Sequence, residues 1–148
     1  MFRKRLLKSL FSEPVSSSTK SIVLLLARII FGFLFLSHGI AKLNAYYAIP
    51  EEFPNPIGLG STLSLWLVLF AEILCSFGFI IGALFRLCLI PMIFTMCIAL
   101  FVIHAADPLG VKEQSLMYLT IFVLLYITGP GIYSIDGILK RVFTSLRQ

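Results

Sequence analysis

Charge is scarce in this chain. Of its 148 residues only 13% are charged, and seven are acidic. Against this, 59% are hydrophobic and the mean hydropathy is +0.99. A soluble domain of this size could not hide so much apolar surface, so a water-soluble enzyme is excluded. Segments of about ten residues with alternating polarity are missing, which excludes a membrane β-barrel. The three cysteines, Cys75, Cys88 and Cys97, form no CxxC pair, so that signature of thiol–disulfide exchange with quinone is missing. They read as buried packing thiols. Internal repeats, low-complexity tracts and motifs for flavin, covalent haem or iron–sulfur clusters are also lacking.

What remains is long apolar runs. A spanning helix needs roughly 20 mostly apolar residues, and four stretches qualify, at about 21–43, 62–84, 87–105 and 115–128. The fourth is the shortest, and its helix can begin inside the polar loop before it. The expected fold is all-α, an integral membrane four-helix bundle. Residues 1–20 form a basic segment before it, residues 21–132 the bundle, and residues 133–148 an amphipathic tail.

Lysine and arginine set the orientation. Arg3, Lys4, Arg5, Lys8 and Lys20 precede the first span, Arg86 lies in the tight second connection, and Lys140, Arg141 and Arg147 follow the last span. The first loop, YYAIPEEFPNPIGLGS, has neither residue type, and the third, ADPLGVKE, has only Lys112. Both termini are therefore expected in the cytoplasm. The net charge of +5 reads as topology and attraction to lipid headgroups, not as nucleic-acid binding. The first apolar run is too long for a signal-peptide core and no small-x-small site follows it, so it is expected to remain as a span.

Two surface segments flank the bundle. Phe2, Leu6, Leu7, Leu10 and Phe11 suit the apolar side of a short interfacial helix, with SEPVSSSTK as a flexible polar link after it. In SIDGILKRVFTSLR, Ile135, Ile138, Leu139, Val142, Phe143 and Leu146 recur at helical spacing. Ser134 is the expected N-cap and Asp136 suits the first turn of that helix.

Polar groups inside the spans are costly in lipid, and they mark function or pairing. In the first span Arg28, Phe31, Phe35, His38 and Lys42 share one stripe. In the second, Ser61, Leu65, Val68, Glu72, Cys75 and Phe79 do so. In the third the stripe is Arg86, Ile90, Ile93, Cys97, Leu100 and His104. At a rise of about 1.5 Å per residue, His38 and His104 each lie about 25 Å from the cytoplasmic edge. Lys42 sits one turn above His38, with Asp107 and Glu113 at the outer rim. His38, Lys42 and His104 thus read as one outward-opening polar site, or as a satisfied histidine pair beside a lysine that snorkels to the headgroups. Deeper in, Arg28 and Glu72 are expected to form a buried ion pair, with Glu72 also a candidate proton relay. Arg86 marks the cytoplasmic end. GFIIG, from Gly78 to Gly82, reads as a close-packing stripe or a homodimer contact. No metal site is indicated.

The segments ARIIFGFLFLSHGIAKL, AEILCSFGFIIGALFRL, a histidine ending the third span and TGPGIYSIDGIL, in this order, resemble the DoxX family. The likeness covers roughly residues 22–139. It implies a small four-helix prokaryotic membrane protein, of a family tied to thiosulfate oxidation, quinone reduction and redox defence with partners. It implies no catalytic residue. Two functional expectations follow. One is an inner-membrane subunit of a quinone-linked oxidoreductase or redox-defence complex, in which His38, Lys42 and His104 meet a quinone headgroup, Phe31 and Phe35 line its ring, and a redox partner supplies electrons. The other is a non-catalytic scaffold whose buried charges fix helix register. A small transporter with Glu72 as its proton-coupled group ranks third. Two facing histidines also suit a bis-histidine haem, but such sites need an open lining of small residues and the resemblance implies no haem, so none is expected.

Overall fold

The structure is a computed structural model that describes residues 16–146. The expected interfacial helix built on Phe2 to Phe11 lies outside the described residues, as does Arg147. Four helices are long and apolar enough to cross a membrane: α1 (Ser17–Tyr46), α2 (Ser61–Ile81), α3 (Phe85–Ile103) and α4 (Leu109–Thr128). A short α5 (Ile135–Ser145) follows. The described residues contain no strand. The bundle therefore has a loop end, with the α1–α2 and α3–α4 connections, and a turn end, with the α2–α3 turn and α5.

Helix α1 begins four residues before the expected start. Ser16 caps it by accepting the Thr19 backbone N–H at 3.1 Å. The flexible link expected over SEPVSSSTK is thus corrected at its C-terminal half, because a serine three residues before a threonine supplies an N-cap. Helix α4 begins at Leu109, inside the polar loop, as the short fourth apolar run suggested.

The core fills the turn half of the bundle. Phe35, Phe79, Phe85, Leu89, Met92 and Phe122 are each at most 1% exposed. The Phe79 and Phe85 rings stack at 5.3 Å, and Phe122 sits edge-on to Phe35 at 4.9 Å. Large apolar residues on the outer faces, such as Val23, Ile30 and Phe33 on α1, are more than half exposed and suit lipid contact.

The stripe expected on α3 is corrected. Its buried face is Phe85, Leu89, Met92, Met96 and Leu100, while Arg86 and Ile90 are exposed. In a helix apolar all round, hydrophobicity does not separate the core face from the lipid face, and Arg86 and His104, eighteen residues apart, would share one face of a regular helix. A π-helical segment at Ala99–Ile103 inserts one residue between them. The insertion turns His104 onto the Phe85–Leu89–Met92 side and leaves Arg86 outside, over the Tyr126 ring at 5.8 Å.

Glycines set the helix approaches. A Cβ at Gly32 would collide with Ile80, and one at Gly39 would lie 2.9 Å from the Glu72 Cβ. One at Gly78 would lie 2.5 Å from the Cys88 sulfur. Gly82 ends α2 in the left-handed conformation, at φ +70°, directly under Arg28 and Ser134. Both glycines of GFIIG thus make close contacts within the chain, as the close-packing reading of that stretch expects.

Helix α5 carries no buried residue, and Ile135, Ile138, Leu139, Val142, Phe143 and Leu146 are exposed along it. Ser134 caps it, accepting the Gly137 N–H at 3.0 Å. Asp136 does more than suit the helix dipole. Its carboxylate accepts the Leu84 and Phe85 backbone N–H groups at 3.0 and 2.9 Å, and its own N–H donates to the Gly82 carbonyl. It therefore caps α3 from a helix about fifty residues away and locks α5 to the α2–α3 turn.

Candidate functional site

At the loop end the four helices part around a cavity of about 630 Å³. That size lies within the range of about 300–1,000 Å³ common for small-molecule sites. Its lining is mostly apolar, with Phe35, Phe53, Phe70 and Phe94 among the aromatics. The polar groups that face it come from all four spans: His38 and Lys42 from α1, Ser64 and Glu72 from α2, Thr95 and the terminal His104 from α3, Gln114 and Tyr118 from α4.

Two irregular helical turns shape this arrangement. Glu72 lies in a π-helical segment of α2, Phe70–Leu74, and His104 directly follows the π segment of α3. Such bulges rotate side chains out of the regular register and recur at functional sites. Gly39 lets α1 approach α2 at the level of Glu72, and Lys42, one turn on, reaches across. The Lys42 ammonium donates to both carboxylate oxygens of Glu72 at 2.7 Å. The Glu72 side chain is 1% exposed and that of Lys42 is 34% exposed, so the pair is buried on one side and open to the cavity on the other. Two of the three ammonium hydrogens are engaged by Glu72, which leaves one for another acceptor.

The His38 ring sits edge-on to Tyr118 at 5.8 Å, and its Nε2 is 2.7 Å from the Gln114 side-chain amide. Its Nδ1 is left for another partner. At the rim His104 Nδ1 lies 2.7 Å from the Asp107 carboxylate, leaving Nε2. An acidic partner on one imidazole nitrogen fixes the ring and its tautomer.

The expected site residues divide into two groups. His38, Lys42, Glu72 and His104 line one cavity, with Asp107 bonded to His104 at its rim. Glu113 is exposed on α4 and makes no hydrogen bond or ion pair among the described residues. Arg86 lies at the turn end, over the Tyr126 ring. The Arg28–Glu72 pair is not formed. Arg28 lies at the turn end, donates to the Tyr133 carbonyl and faces the Phe85 ring at 5.9 Å, while its Nε and Nη1 have no hydrogen-bond partner among the described residues. The register of α1 against α2 explains this. Gly32 meets Ile80 and Gly39 meets Ile73. Continued along both helices, that register puts Arg28 beside the α2–α3 turn and leaves Glu72 to Lys42.

Gln114, Tyr118, Ser64 and Thr95 were not singled out from the sequence. Gln114 and Tyr118 carried a signal, being one turn apart on α4 in line with Phe122 and Leu125. The two hydroxyls carried none.

The DoxX family model matches residues 23–105, a stretch that holds every cavity residue contributed by α1, α2 and α3. The inner membrane protein YqjF of Escherichia coli (strain K12) is 35% identical over 127 residues, covering 82% of this chain and 95% of that protein. No solved structure matches the chain. A family match over more than half the sequence, and a relative aligned along nearly its whole length, agree with the four-span bundle: this chain belongs to the DoxX family.

Proposed function

We propose that this chain is an inner-membrane subunit of a quinone-linked redox complex, and that the loop-end cavity holds a quinone-like headgroup. One observation carries the reading: a cavity of about 630 Å³, walled mainly by apolar side chains, brings His38, Lys42 and His104 to a single space. A quinone is an apolar ring with two carbonyl acceptors, and reduction to the quinol needs two electrons and two protons. The third Lys42 hydrogen and the Nδ1–H of His38, whose Nε2 accepts from the Gln114 amide, supply donors for the carbonyls. His104, held at Nδ1 by Asp107, presents Nε2 as an acceptor for a quinol hydroxyl and, once protonated, as a further donor. Glu72 balances the lysine charge from below. Electrons come from a partner protein, since the sequence carries no motif for a redox centre. The lysine and arginine distribution supports an orientation with both termini in the cytoplasm and the cavity on the outer side, where protons would be exchanged.

The test is a binding titration of a short-tailed benzoquinone against the purified protein in lipid nanodiscs. His38→Ala and His104→Ala should each weaken binding by about 1–3 kcal/mol, the value of one hydrogen bond to a buried polar group. Both variants should keep the helical content of the unmodified chain. Unchanged affinity in both would remove the histidines from the site.

A further inference from the structure

Serine and threonine hydroxyls inside these spans follow a pattern with two exceptions. Beyond the first turn of each helix, Ser21, Ser37, Ser76, Ser115, Thr120 and Thr128 each donate to a backbone carbonyl three or four residues earlier. Such back-bonding is the ordinary way to satisfy a hydroxyl where lipid offers no partner. Ser64 is 4% exposed, and its Oγ has no partner among the described residues. Thr95 likewise makes no side-chain hydrogen bond to any described residue. These two line the loop-end cavity, Ser64 from α2 and Thr95 from α3.

The wall between them faces the bilayer. Leu67 and Phe70 on α2, and Phe94 on α3, line the cavity while being 45%, 47% and 54% exposed. At Pro91, which also lines it, α3 lacks one backbone N–H. On the loop side Pro54, Pro56 and Ile57 lie over the cavity. The space between α2 and α3 is therefore bordered by lipid-facing side chains and roofed toward water. A molecule whose tail stays in the hydrocarbon can bring its head in between these helices, past Ser64 and Thr95.

We propose that Ser64 and Thr95 are ligand-binding residues, their hydroxyls held free to hydrogen-bond the oxygen-bearing head of a membrane-dissolved amphipath that enters between α2 and α3. The inference rests on the quinone-like reading of the cavity and adds polar contacts from α2 and α3 to those of His38 and Gln114 on α1 and α4. A hydroxyl both donates and accepts, so it serves a quinone carbonyl and a quinol hydroxyl alike. A side chain that turns about χ1 reaches the head without backbone movement.

The discriminating feature is stability. A hydroxyl without an intramolecular partner adds no hydrogen bond to the fold, so its removal leaves stability unchanged or raised. Ser64→Ala and Thr95→Val, in nanodiscs, should keep or raise the melting temperature while each weakens decylubiquinone binding about three- to tenfold, the range for a neutral hydrogen bond. Thr120→Val, at a back-bonded hydroxyl outside the cavity, is the control and should leave binding unchanged. If the unmodified protein binds decylubiquinone and both cavity variants bind it equally well, Ser64 and Thr95 are not ligand-binding residues and this inference fails alone. If the unmodified protein does not bind decylubiquinone at all, the quinone-like reading fails and takes this inference with it.

Discussion

Replacing Lys42 with methionine should lower the stability of the protein in detergent by roughly 3 kcal/mol, the lower end of the cost of breaking a buried ion pair. The lower end applies because Lys42 is open to the cavity on one side, whereas Glu72 is almost wholly enclosed. The substitution leaves the Glu72 carboxylate without its counter-charge and without both hydrogen bonds from the ammonium. Replacing Glu72 with leucine in the same chain should then recover most of the loss, since an apolar pair of similar volume replaces a buried ion pair at little cost. Arg28 gives the contrast. The Arg28→Leu and Glu72→Leu effects should add to within about 0.5 kcal/mol, as those of separated sites do. Chemical unfolding of the three single and two double variants measures both couplings. Strong coupling of Glu72 to Arg28, with none to Lys42, would contradict the observed pairing.

Gly82→Ala should be as damaging, by about 3 kcal/mol. At φ +70° the left-handed backbone costs an alanine about 1–2 kcal/mol. The added Cβ would also fall 2.5 Å from the Ser134 Cβ and against the Arg28 guanidinium. Neither neighbour is free to move: Ser134 caps α5, and Arg28 is enclosed with its Nη2 on the Tyr133 carbonyl. Overpacking of such a site adds about 1–3 kcal/mol. Gly110→Ala is the matched control. A Cβ there meets nothing within 4 Å in the first turn of α4, so the change should be neutral or slightly stabilising. Thermal unfolding of the two variants side by side checks the difference. Equal melting temperatures would mean that the α2–α3 turn is not held as described.

How far these features were legible in the sequence depends on the kind of signal each leaves. Three spans were plain, because an apolar run of about twenty residues has few other uses, and the fourth, a shorter run, gained its length from the polar loop before it. The α5 helix was legible to its N-cap, since water on one side restores the polar contrast that periodicity needs. His38, Lys42, Glu72 and His104 stood out because each is expensive in lipid. Their partners were harder to read. Depth follows from counting residues, but pairing also needs the azimuth of each helix and the register between helices. The choice of Arg28 rather than Lys42 for Glu72 failed on register, which Gly32 and Gly39 fix through contacts no sequence pattern announces. The α3 stripe failed on azimuth, because the π segment at Ala99–Ile103 shifts the face by one residue. Asp136 reads locally as a first-turn acid. That it also caps α3 appears only once α5 is folded back against the turn. Ser64 and Thr95 look like any other hydroxyl in a span until their missing back-bonds are seen.

The central claim, that the loop-end cavity holds a quinone-like molecule, is tested most directly by what accompanies the protein out of its own membrane. The chain should be extracted into nanodiscs with native lipid, and its quinone content measured against total phospholipid. The expected result is close to one quinone per chain above the ratio in the bulk membrane, reduced in the His38→Ala and Ser64→Ala variants. A quinone-to-phospholipid ratio equal to that of the membrane, together with a partner protein present in fixed proportion, would contradict the claim and identify the chain as a scaffold.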